Sequence, residues 1–214
     1  MSVPQERRQN TIAVAMSLSA AVATELASRF VAHRFPDRPV APDISYAILP
    51  HIPWASYVTL AAIALVIVVS AVYVMRDEPE LIPSHVTAIS LMYLLRAAMT
   101  TLTPLAHARD GSAIPFPLFG NGLFPSGHTA LALLLILLIG RRLHPRLRTA
   151  AVVLLGVMMV SMLYSRGHYS IDLAGGALLG YFVWREWTDG RLLEPLRRLV
   201  APGASPATSA ERSL

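Results

Sequence analysis

Apolar runs with the length of a bilayer crossing recur along this chain, and they limit its fold more than any other feature. A membrane-spanning helix needs about 20 mostly apolar residues. Six stretches are candidates: 11–32, 54–75, 86–105, 127–140, 149–165 and 170–187. The second and fifth are the clearest. The fourth is short, and its outer end is expected to lie within protein rather than lipid. Only 14% of residues are charged and 54% are hydrophobic, where a soluble domain carries about 25% charged residues. The expected fold class is all-α: a polytopic membrane protein with six transmembrane helices in one bundle. Residues 1–10 are expected to be a cytoplasmic segment, 11–187 the membrane domain and 188–214 a cytoplasmic tail, whose end, VAPGASPATSAERSL, has a disordered composition.

The net charge is +5, and every basic residue is arginine. The arginines cluster between apolar runs, which favours orientation in a bilayer over nucleic-acid binding. The loop RRLHPRLR at 141–148 carries four arginines and no acid, so it is expected to be cytoplasmic. An even number of spans then places Arg7, Arg8, Arg191, Arg197 and Arg198 on the same side. Arg34 and Arg38 fall outside beside Asp37 and Asp43, a mild violation. A cleaved signal peptide is an alternative for the first run, given Arg7, Arg8 and the small residues at 21–23. Polar Glu25 and Arg29 suit a packed helix better. The chain has no cysteine, which excludes disulfides, thiolate catalysis and Cys-based zinc sites.

This topology brings two interrupted segments to one face. FPSGHTALALLL (124–135) and YSRGHYSID (164–172) each set a histidine at the mouth of an apolar run. The fourth span runs inward from His128 and the sixth runs inward from His168, so both histidines are expected on the outer side. His168 and Asp172 are four apart, the spacing of neighbours on one helical face. The carboxylate can hold the Nδ1–H tautomer and leave Nε2 as a base or nucleophile. Ser126 and Gly127 lie where a helix N-terminus offers unpaired N–H groups to an anion, and Arg166 is two residues from His168. The set suggests phosphate chemistry. Taken singly, each residue has a plain structural reading as a cap, a turn or an interfacial side chain. Ionisable residues at membrane depth are costly, and their convergence favours function. Two other classes stay open: a two-His, one-carboxylate metal site at His128, His168 and Asp172, and a transporter or lipid-binding scaffold with no chemistry.

PSGHT (125–129) and SRGHYSID (165–172) resemble the second and third motifs of the type 2 phosphatidic acid phosphatase superfamily, most nearly those of its sphingomyelin synthase-like branch. YLLRAAMTTLTP (93–104) is loosely similar to that branch's earlier motif. The likeness covers residues 93–180. No lysine is present to supply the Lys-containing first motif of the phosphatase branch, and the Arg166–His168 gap is shorter than in the phosphatases. Both departures favour the synthase-like branch. The resemblance implies that His168 attacks phosphorus with Asp172 orienting it, and that His128 protonates the leaving oxygen and then deprotonates the acceptor. It also implies a phosphohistidine-type intermediate, with Ser126, Gly127, Arg166 and Arg96 around the phosphate and neither metal nor other cofactor. The expected substrates are a phospholipid or lipid phosphate with a lipid alcohol as acceptor; a phosphatase using water is the alternative. The expected setting is a bacterial inner membrane, with the site on the periplasmic side.

Arg96 and Glu25 lie deep in the third and first spans, about nine residues, or roughly 13 Å, from their outer ends. Three arrangements are open: an Arg96–Glu25 pair, a Glu25–Arg29 pair, or Arg96 beneath the phosphate site. The loop 106–125, with Phe116, Leu118, Phe119 and Phe124, is read as a turn-rich connector, or else as an interfacial lip for lipid entry. His33, His51, His85, His107 and His144 are read as interfacial or loop residues. Gly175, Gly176 and Gly180 offer a small face for close helix packing.

Overall fold

A computed structural model describes residues 3–106, 123–140 and 142–200. Residues 107–122, with most of the proposed lip, and the end of the tail lie outside these. Eight α-helices and no strand occur among the described residues: α1 (Val3–Arg34), α2 (Ile44–Ile48), α3 (Ala55–Asp77), α4 (Ile82–Leu102), α5 (Gly127–Gly140), α6 (Pro145–Tyr164), α7 (Ser170–Thr188) and α8 (Glu194–Val200). Four helical stretches, at Pro4–Arg34, Ala55–Asp77, Pro79–Leu102 and Pro145–Tyr164, are long and apolar enough to cross a membrane by length and composition. The other two expected spans fall short for physical reasons. α5 has 14 residues, about 21 Å of helix at 1.5 Å per residue. α7 carries Asp172, Arg185 and Glu186 within 19 residues.

The distribution of side chains departs from that of a soluble bundle: apolar residues face outward as well as inward, and small polar residues are buried among the helices. Outward positions are apolar: Val14, Leu18, Val22 and Leu26 on α1, Val68 on α3, and Val152 and Val153 on α6 are all exposed. Inward positions include Thr24, Ser28, Ser56, Thr59, Thr87 and Ser90. In lipid there is little hydrophobic drive to bring helices together, so small residues and interhelical hydrogen bonds take over. Ser17 and Ser90 hydroxyls join α1 to α4 at 3.0 Å, and Thr59 and Ser161 join α3 to α6 at 2.7 Å. Trp187 Nε1 donates to Ser84 Oγ at 3.2 Å, linking α7 to α4.

Short α5 is the centre of the bundle, contacted by α3, α4, α6 and α7, while α1 packs along α4. Ala130, Ala132 and Leu134 of α5 are fully buried. The ends sort into two layers. At one end the Glu78–Arg142 ion pair joins the foot of α3 to the α5–α6 turn. The other end gathers the C-termini of α1, α4 and α6 with the N-termini of α3, α5 and α7. The segment 35–54, including α2, runs across this second end: Ile52 N–H donates to Tyr164 C=O and Ala106 N–H to Pro39 C=O.

Candidate functional site

The site is built where α5 and α7 begin. Ser126 caps α5, its Oγ accepting from Thr129 N–H at 3.3 Å. Its own N–H donates to the Asp172 carbonyl at 2.9 Å, so the two helix starts are stitched together. Two glycines make this approach possible. A Cβ on Gly176 would sit 2.5 Å from Ser126 O, and one on Gly180 would sit 2.6 Å from Ala130 O. Both obstacles are backbone atoms, which cannot swing away. Gly176→Ala should therefore destabilise the protein by about 1–3 kcal/mol, the cost of overpacking a filled interface. Gly156→Ala, with nothing within 4 Å of the new methyl, should leave the unfolding temperature level or raised. Thermal unfolding in detergent checks the pair.

The result of this packing is that the His128 and His168 rings stand 5.8 Å apart between centroids, inclined at 74°. Asp172 is completely buried, with Oδ2 3.3 Å from His168 Nδ1. The spacing of four works differently from the helical face expected from sequence. α7 starts at Ser170, so His168 precedes the helix. Asp172 lies in the first turn and reaches back over the helix start, where Oδ2 also accepts Tyr169 N–H at 2.9 Å. That is the carboxylate half of a capping box, and it fixes the Asp172 side chain before any chemistry is asked of it.

Arg166 ends α6 in a Schellman turn: its N–H donates to Leu163 C=O, and Gly167 N–H donates to Met162 C=O. The left-handed position, usually glycine, holds Arg166 at φ 53°. This turn swings the chain back so that His168 arrives beside His128. The Arg166 guanidinium lies 5.4 Å over the Tyr46 ring, and Nη2 donates to Tyr46 C=O at 3.4 Å. Arg166 thus engages α2.

Arg96 is buried, and its Nε donates to Pro125 C=O at 2.9 Å. One turn on, Thr100 Oγ1 donates to Phe124 C=O at 3.1 Å, so α4 grips the two carbonyls that lead into α5. The Arg96 guanidinium packs against Gly127, where a Cβ would lie 3.0 Å from Nε. One of the arrangements left open is found, and one depth changes. Glu25 pairs with Arg29 on its own helix at 2.6 Å. Arg96 is also shallower than expected, because α4 stops at Leu102 before Thr103-Pro104; six residues remain above it, about 9 Å. Ser126 is fully buried, with its Oγ within 3.8 Å of Met162 Sδ, and serves the helix start. Among the described residues, no three His, Asp or Glu side chains gather as metal ligands.

The segment across the top supplies residues that the sequence did not single out. Asp43 Oδ2 accepts Ser170 N–H at 2.5 Å, and Oδ1 accepts Ser170 Oγ at 2.8 Å. Oδ1 also accepts Ser45 N–H at 2.8 Å and Ser45 Oγ at 2.6 Å, capping α2. Burial works to raise the Asp43 pKa, but the Ser45 and Ser170 hydrogen bonds outweigh it and hold the carboxyl below its usual range. A depressed carboxylate stabilises the fold above its unfolded value, and that contribution is lost as pH falls through the lower folded value. Tyr46 Oη donates to His168 C=O at 3.0 Å, and burial pushes its phenol up, so it remains a donor. Tyr169 Oη donates to Ala106 C=O at 3.0 Å and accepts Ala41 N–H at 3.3 Å. Only an acid two residues before Ser45 hinted at any of this, as a helix cap.

A family model described as AtPDCT1/2 matches residues 42–185, more than half of the 214 residues. The chain belongs to the AtPDCT1/2 family. This corrects the resemblance to the type 2 phosphatidic acid phosphatase superfamily and its sphingomyelin synthase-like branch. The short motifs behind that likeness lie at two helix starts, those of α5 and α7, and cover far less of the chain. The AtPDCT1/2 match begins at 42, so it takes in Asp43, Tyr46 and the rest of the crossing segment from there on, which the likeness over 93–180 left out. No curated protein matches the chain. Membership in AtPDCT1/2 identifies a lipid-modifying enzyme, and the apolar helices agree with a membrane setting.

Proposed function

We propose that this protein transfers a phospho-headgroup from a phospholipid to a lipid alcohol. The family is phosphatidylcholine:diacylglycerol cholinephosphotransferase-like, which makes phosphocholine the proposed group and diacylglycerol the proposed acceptor. The single observation that carries the reading is the 5.8 Å separation of the His128 and His168 rings, with Asp172 behind His168. One phosphate group fits between two such rings.

In the proposed mechanism His168 Nε2 attacks phosphorus, with Asp172 holding Nδ1–H. The P–O bond to the donor's glycerol breaks, and the leaving oxygen takes the proton of His128. The acceptor hydroxyl then gives its proton to His128 and attacks phosphorus; the P–N bond breaks and both histidines return to their starting states. The same imidazole serves as acid and then base, so the cycle closes without net proton uptake. Arg96 and the start of α5 at Gly127 face the growing negative charge on the phosphoryl oxygens. Arg166 lies near enough to the crossing segment to respond to the headgroup. Six crossings in one bundle, with α5 enclosed by its neighbours and α7 packed along it, would place the site toward the non-cytoplasmic leaflet, opposite the arginine-rich 141–148 turn.

The test uses purified protein in vesicles of headgroup-labelled phosphatidylcholine with unlabelled diacylglycerol whose acyl chains differ from the donor's. Label should move to newly formed phosphatidylcholine. Release of free phosphocholine in place of transfer would make water the acceptor and the enzyme a hydrolase. Transfer should also continue in excess chelator. Loss that a divalent cation restores would replace this mechanism with a metal-assisted one.

A further inference from the structure

We propose that Asp43 is a positioning residue for the reaction at His168, with Tyr46 acting beside it. The inference rests on the headgroup-transfer reading for its catalytic consequence, though not for its geometry.

His168 is held on both sides by the segment that crosses the site. Ahead of α7, the His168 carbonyl accepts the Tyr46 hydroxyl at 3.0 Å. Two residues on, Ser170 gives both its N–H and its hydroxyl to the Asp43 carboxylate, at 2.5 and 2.8 Å. Between these anchors sits Tyr169, whose N–H is bound to Asp172 Oδ2. Residues 168 and 169 are irregular backbone between the strained Arg166 turn and the start of α7, so nothing in their own secondary structure fixes the imidazole. Its position depends on partners contributed by residues more than 120 positions earlier. Asp43 is itself immobilised by capping α2 through Ser45. The carboxylate therefore joins two helix starts, and the second of them carries the His168–Asp172 pair.

Misplacing a reacting group by about 1 Å costs as much as 10²-fold in rate. Asp43→Ala should lower kcat by about 10–10²-fold and leave KM for the donor lipid unchanged, since Asp43 bonds Ser170, two residues from the nucleophile, and not the lipid. Ser45→Ala removes one α2-side bond only and should leave kcat alone. The deciding measurement is a double-mutant cycle. In an Asp172→Asn background, Asp43→Ala should add little, because both substitutions disable the same pair; a merely structural role would add in full. Tyr46→Phe provides a second variant should Asp43→Ala fold poorly, with the same non-additivity expected. Hydrogen exchange at the Tyr169 and Ser170 amides gives a readout that needs no activity. It should speed up in Asp43→Ala and not in Ser45→Ala.

Unchanged exchange, full additivity, or a KM effect without a kcat effect would each overturn the proposal. Wild-type protein that transfers no headgroup would sink the functional reading instead, and is told apart because the exchange difference would persist.

Discussion

His168→Ala protein should transfer no headgroup, while His128→Ala protein should keep a measurable remnant. The two substitutions remove different things. Without the His168 imidazole there is no nitrogen to form the P–N bond, and the covalent route closes. Without His128 the bond can still form, but the glycerol oxygen must leave unprotonated, a loss of general acid catalysis typically worth 10²–10⁴-fold. A donor with an activated leaving group, such as a nitrophenyl ester of phosphocholine, needs no proton to depart. It should recover most of the first step in His128→Ala and none in His168→Ala. The proposed division of labour rests on the 5.8 Å between the ring centroids, a separation that one phosphate group can bridge. Equal residual activity in the two variants with the activated donor would contradict it.

Arg96→Gln should cost about 10²–10³-fold in kcat, the usual loss when one donor to a developing oxyanion is removed. The substitution separates charge from support. Glutamine can still donate to the Pro125 carbonyl that Arg96 Nε now binds at 2.9 Å, and Thr100 keeps its hold on Phe124. The approach to α5 should survive, and the unfolding temperature with it. What disappears is the positive charge packed against Gly127 at the start of the helix that carries His128. An unchanged kcat with a lowered unfolding temperature would make Arg96 a structural strut.

Much of the helical layout was legible because lipid imposes one demand, long apolar runs, and hydropathy reads that demand directly. Each of the six expected stretches holds a helix, though four helices among the described residues are long and apolar enough to cross a membrane. The short fourth one, α5, is surrounded by other helices. The meeting of His128 and His168 followed from alternation of helix direction. The glycines at 176 and 180 signalled close packing, though not that they pack on the backbone of α5. Other features escaped for identifiable reasons. α2 is five residues long in a Pro-rich polar stretch, too brief for any periodicity to show. Asp43 and Tyr46 act on residues more than 120 positions away, a relation that no local pattern encodes. Arg96 was placed too deep because the Thr103-Pro104 helix end was read as part of a span. The family was not legible from two short motifs at helix starts, whereas the AtPDCT1/2 match extends over residues 42–185.

The claim at the centre is that phosphorus passes through a histidine on its way between two lipids. Each in-line displacement inverts configuration at phosphorus, so the stereochemical course of transfer from a phosphatidylcholine chiral at phosphorus tests it most directly. Two displacements, to His168 and then to the acceptor, should return retention. Inversion would mean a single direct displacement, with His168 never bonded to phosphorus, and would contradict the mechanism.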